Sequence, residues 1–90
     1  MNEPFENEIE KMMADLESRT AVGDAEALYD LSVLQYDLAV RRPSPEHFAK
    51  AEDLLRKATA AGLANATKRL SDWEVLRYAF QQRLARASDA

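Results

Sequence analysis

The sequence predicts an all-α fold of four antiparallel helices, and three observations carry that prediction. Apolar residues recur at three- and four-residue steps in four separate segments, the spacing that lines one face of a helix. The 2 glycines and 3 prolines fall at the borders of those segments. No run combines strict apolar–polar alternation with the β-branched content of a strand.

The first helix carries Phe5, Ile9, Met12, Met13, Leu16 and Thr20 along one stripe. Pro4 suits its first turn, where a missing N–H costs nothing, and Gly23 suits its end, because glycine accepts the left-handed conformation that closes a helix. The second helix starts on Asp24 as N-cap and carries Ala27, Leu28, Leu31, Leu34 and Leu38. It stops near Val40, because Pro43 and Pro45 disfavour helix at the residues before them. Ser44-Pro45-Glu46 then restarts a helix with a serine cap, proline at the first position and an acid at the positive end of the dipole. That third helix holds Phe48, Ala51, Leu54, Leu55 and Ala58, and ends at Gly62. The fourth runs from about Leu63 through Ala66, Leu70, Trp73, Leu76, Phe80 and Leu84, with fraying expected after Ala87.

Composition narrows the function classes. Ninety residues support one small domain, and 47% apolar with 31% charged residues is globular rather than disordered. With 0 cysteines, disulfides, thiolate zinc sites and cysteine nucleophiles are excluded. The N-terminal residues lack a basic region followed by an apolar run, and no stretch approaches the roughly 18 apolar residues of a membrane span. A cytoplasmic protein without membrane contact is the expectation. The net charge of −4 hides a polarity: residues 1–40 carry −8 and residues 41–90 carry +4. Such a chain can orient a partner or stack head to tail on itself.

An offset of 39 residues aligns Gly23 with Gly62, Ala25 with Ala64, Ala27 with Ala66, Leu31 with Leu70 and Ser32 with Ser71. Upstream it pairs Ile9 with Phe48, Leu16 with Leu55 and Thr20 with Thr59. Small residues at the alanine and serine positions let two helices approach closely, and the leucines fill the space beside them. These are packing positions before they are a site.

The pattern resembles a Sel1-like repeat, a relative of the tetratricopeptide repeat. Gly23-Asp24-Ala25-Glu26-Ala27-Leu28-Tyr29-Asp30-Leu31-Ser32, and again Gly62 to Ser71, resemble the family's first helix. Phe48, Ala51, Leu54-Leu55 and Lys57-Ala58-Thr59-Ala60-Ala61-Gly62 follow the order of its second helix. The departures are serine for the family's glycine at Ser32 and Ser71, Gln35 where tyrosine is usual, and no glycine between Ala39 and Pro45. The resemblance implies a short right-handed α-solenoid: a half repeat over residues 5–22, a full repeat over 23–61, and a half repeat with a C-terminal helical extension over 62–87.

That count is short for a solenoid, so the last helix needs a cover. It can fold over the end as a cap, pair with the same helix of a second chain as a homodimer, or serve as the partner site. In Sel1-like proteins first helices line the concave side. The resemblance therefore implies partner-binding positions at Tyr29, Val33, Gln35, Tyr36, Lys68, Asp72 and Glu74. Trp73, Tyr78 and Phe80 add aromatic area of the kind enriched at interfaces, with Trp73 and Phe80 equally readable as core. The expected role is a small non-catalytic interaction module for a protein or peptide, with no cofactor and no metal. An antagonist or immunity-type protein that blocks a basic partner is the alternative.

Enzymatic chemistry fits poorly. His47, the 1 histidine, sits beside Glu46 without a nucleophile or oxyanion donor, and reads as a solvated helix-start residue. Glu6 and Glu10 share a helix face but lack the partners of a metal site. Lys68, Arg69, Arg77, Arg83 and Arg86 form a basic run that would serve nucleic acid, but Asp72 and Glu74 interrupt it and the acidic half repels phosphate.

Overall fold

Capping chemistry sets the helix borders. The computed structural model describes residues 4–89, and the surroundings of side chains 8–88. The stripe residue Phe5 and the candidate ligand Glu6 have side chains outside the described residues. The helices are α1 (Pro4–Ala21), α2 (Ala25–Arg41), α3 (Pro45–Ala60), α4 (Ala64–Ser71) and α5 (Trp73–Asp89), and no strand occurs among the described residues. Asp24 Oδ1 accepts the Ala27 N–H at 3.1 Å at the start of α2, and Ser44 Oγ accepts the His47 N–H at 3.3 Å at the start of α3. Helix α2 ends without glycine: Arg42 turns extended, and the Ser44 N–H returns to the Ala39 carbonyl at 3.1 Å.

The two glycines close α1 and α3 in the same way. The Gly23 N–H bonds the Thr20 carbonyl and the Asp24 N–H bonds that of Arg19; 39 residues on, Gly62 bonds Thr59 and Leu63 bonds Ala58. Both are Schellman ends, with φ of 85° at Gly23 and 92° at Gly62. A methyl group at either position would meet no atom within 4 Å, so a side chain there costs only backbone strain. Gly23→Ala and Gly62→Ala are each expected to lower stability by about 1–2 kcal/mol, measured by urea denaturation. A loss below about 0.3 kcal/mol in both would show that the left-handed turns are not held.

The 39-residue offset extends to the helix starts. The Leu28 N–H bonds the Asp24 carbonyl as Thr67 bonds Leu63, and the Ser32 hydroxyl bonds the Tyr29 carbonyl as Ser71 bonds that of Lys68. Ala27 and Ala66 are both fully buried. Beyond the serines the two segments part. Helix α2 runs on unbroken, whereas the expected fourth helix is two helices, divided at Asp72. The Asp72 N–H bonds the Arg69 carbonyl at 3.1 Å, a tightened turn, and its own carbonyl accepts from Val75 and Leu76 to start α5. The expected fraying after Ala87 is also replaced by helix to Asp89.

That break turns α5 back over the α2–α3 pair, the largest helix–helix contact of the fold. Phe80 stacks on Phe48 with ring centroids 4.4 Å apart, and Trp73 lies 4.9 Å from Phe48 and 5.8 Å from Tyr36. Trp73 and Phe80 are therefore buried with Ala39, Ala51, Leu55, Ala58 and Ala66 in one cluster. Glu52 of α3 fastens the contact, accepting the Trp73 indole N–H at 2.8 Å and Arg77 at 2.6 Å, while Arg56 binds its other oxygen. Arg83 adds a bond to the Val40 carbonyl at 3.0 Å. A smaller cluster of Leu16, Ala27 and Leu31 joins α1 to α2.

The fold is flat, spanning 41 × 37 × 16 Å. Its radius of gyration of 13.8 Å exceeds the roughly 12 Å of a spherical domain this long. A thin body of this kind leaves broad faces and the ridges between its helices open. Among the described residues no helix is long and apolar enough to cross a membrane.

Candidate functional site

A groove lies along α1 and α2, with α4 contributing Arg69 to its lining. Leu16 packs with Ala27 and Leu31, with Met13 and Leu34 beside it, and the groove runs along this contact between α1 and α2. Its volume is about 740 Å³. Leu16, Tyr29, Val33 and Leu34 provide apolar lining, and Met12 lines it with 53% of its surface exposed. The carboxylates of Asp15, Asp30 and Asp37 stand along it, with Arg19 on α1 and Arg69 on α4.

These charges are not equivalent. Arg19 binds Asp24 Oδ2 at 3.0 Å and lies 3.8 Å from Asp15. Its hydrogen bond and charge pairing with Asp24 raise its pKa. The Asp24 carboxyl is held below its ordinary value, first by the Ala27 N–H and then by Arg19. Asp37 is paired with Arg41 at 2.7 Å. Asp30 makes no direct ion pair among the described residues, although its charge adds to the field that raises the Arg19 pKa. Arg69 lies over the Tyr36 ring, 5.2 Å from its centroid, and its buried Nε has no hydrogen-bond partner among the described residues.

Of the positions expected to face a partner, Tyr29 and Val33 line the groove. Gln35 does not: it is only 4% exposed, and its Oε1 lies 2.7 Å from His47 Nδ1. That bond also corrects the reading of His47 as a solvated residue, since it ties the start of α3 to the middle of α2. Trp73, at 2% exposure, is interior for the stacking reasons given above. Tyr36 is half-buried between those rings and Arg69. Lys68 and Asp72 are exposed on or beside α4, and Glu74 is exposed and paired with Arg77. Tyr78 stands out on α5 with 65% of its surface exposed.

The groove also uses Asp15, Arg19, Asp30 and Asp37, which were named neither on the apolar stripes nor as partner-binding positions. Asp30, Val33 and Asp37 form a second stripe on α2 at three- and four-residue steps, and Met12, Asp15 and Arg19 form its counterpart on α1. Both were visible in the spacing as polar stripes with one apolar member each. The basic run has partners of its own: Arg77 is held by Glu52 and Glu74, Arg83 by Val40, and Arg69 by the Tyr36 ring. Among the described residues no group of three or more His, Asp or Glu is placed to hold a metal ion.

Comparison of the chain with protein-family models, with curated proteins and with solved structures finds no match.

Proposed function

We propose that this chain is a small non-catalytic protein–protein interaction module whose groove between α1, α2 and α4 takes a segment of a partner protein. The groove itself carries the reading: an apolar floor of Val33, Leu34 and Leu16, open to solvent, with carboxylates along its walls. An apolar floor with charged walls suits an amphipathic segment, such as a helix laid in the groove. Asp15, Asp30 and the excess of acid in residues 1–40 favour basic residues flanking the segment's apolar ones. The resemblance to Sel1-like repeats, whose first helices line a concave binding side, supports the same assignment for Tyr29 and Val33. An antagonist that covers a basic surface of its partner would use the same groove.

A photo-crosslinking amino acid placed at Val33, and as a control at the exposed Lys50 of α3, tests the proposal in the native host. The expected result is capture confined to the Val33 position. The captured segment, made as a peptide, should bind wild type and bind Asp30→Lys at least about tenfold more weakly, with affinity falling as salt rises. A single basic partner favours the antagonist, several partners the adaptor. Equal capture from both positions, or none, would overturn the assignment of the groove.

A further inference from the structure

The outer face of α5 has the chemistry that the groove selects. Helix α5 spends one face on the core through Trp73, Leu76, Phe80 and Leu84. Its opposite face carries Val75 at 72% exposure and Tyr78 at 65%, followed by Ala79, Gln82 and Arg86 at helical spacing. Val75 and Tyr78 are large apolar side chains with little cover, and Arg86 makes no ion pair among the described residues. The groove presents the converse: open apolar lining at Met12 and Val33, and Asp30 without an ion pair.

We propose that the groove of one copy receives the outer face of α5 from a second copy, head to tail, with Tyr78 and Val75 on the apolar floor and Arg86 toward the carboxylates. The inference rests on reading the groove as a docking site. Charge complementarity favours this occupant: the α1 and α2 walls lie in the −8 portion of the sequence, Arg69 of α4 being the groove's one basic contribution from the +4 portion. The exposed Asp30 matches Arg86 of α5, which makes no ion pair among the described residues. From Val75 to Arg86 the helix rises about 16 Å, so with Val75 and Tyr78 on the floor Arg86 reaches past one end of the α2 wall, which rises about 12 Å from Tyr29 to Asp37. One molecule cannot satisfy its own groove this way, because its α5 is fastened to α3 through Glu52. The contact joins two different patches, so each chain carries both a donor and an acceptor surface.

Two charge-reversed chains test the contact: Asp30→Arg, which spoils the groove, and Arg86→Asp with Tyr78→Ser, which spoils α5. All three positions are exposed, and circular dichroism melts check that both variants fold. Sedimentation velocity at low salt should show wild type associating with rising concentration and dissociating as salt is added. Each variant alone should associate at least tenfold more weakly. An equimolar mixture should regain association, because an intact groove then meets an intact α5 and the two reversed charges also attract each other. A wild type that stays monomeric at millimolar concentration overturns the inference, as does a mixture that stays monomeric. Undiminished association of Asp30→Arg alone would instead indicate α5 pairing with α5, and would overturn it too. A monomeric wild type that still binds the crosslinked segment leaves the interaction module standing without self-assembly.

Discussion

Replacing Trp73 with alanine is expected to lower the stability of this chain by about 3–5 kcal/mol, the range for removing a buried indole from a packed core. Three contacts are lost together. The ring leaves Phe48 and Tyr36, which it meets at 4.9 and 5.8 Å, and the indole N–H leaves Glu52. A small domain has roughly 5–15 kcal/mol in total, so the substitution removes a large part of it. Urea denaturation followed by circular dichroism measures the loss, since the 1 tryptophan is itself removed. Trp73→Phe separates the parts. It keeps most of the apolar area and loses the hydrogen bond, and should cost about 1–2 kcal/mol. Amide exchange gives the spatial reading: protection along α5 should fall before protection in α2 and α3. A Trp73→Ala loss below about 1 kcal/mol would mean that α5 is not seated on the α2–α3 pair.

Helix positions were legible in the sequence because their signals are local. Asp24, Ser44-Pro45, Gly23 and Gly62 act on groups within a few residues, and the structure uses each of them as a cap or a helix end. The core stripe of α3 was equally plain, with Phe48, Ala51, Leu55 and Ala58 all buried. The break at Asp72 was not legible, since apolar spacing runs through it unbroken from Leu70 to Trp73 and Leu76. Trp73, the first residue of α5, seats on Phe48, a contact between residues far apart in sequence. Gln35 and His47 illustrate the same limit, because neither polar side chain reveals the other as its partner. Met12 is a different case. Adjacent residues on a helix point about 100° apart, so Met12 and Met13 sit at opposite margins of the α1 stripe. Met13 packs against the α1–α2 cluster and Met12 is left to the groove. A sequence supplies faces; the angle between helices, which opens the groove, comes only from packing.

Glu52 makes the seating of α5 dependent on pH. Partial burial by itself would raise its pKa, but hydrogen bonds from Arg77, Arg56 and Trp73, with the charge of Arg77, more than offset this and lower it from 4.5 to about 2. Arg77 is raised in return by its bond to Glu52. A carboxyl whose folded pKa lies below its unfolded value stabilises the fold fully above the unfolded value, and loses that contribution as pH falls to the folded one. The window is therefore pH 4.5 down to about 2. Linkage sets a ceiling of about 3 kcal/mol. The side chain retains 22% exposure, so solvent screening reduces the expected contribution to about 1–2 kcal/mol. Glu52→Gln should accordingly be less stable than wild type by that amount at pH 7, and the difference should close between pH 4.5 and 2. Other carboxylates, Asp24 among them, titrate in both proteins and cancel in the difference. Paired urea titrations across that range read it directly. If the gap between the two proteins is the same at pH 2 as at pH 7, Glu52 acts by shape alone and its charge does not hold α5. Closure of the gap, together with loss of α5 amide protection over the same pH range, ties the charge to the docking of that helix.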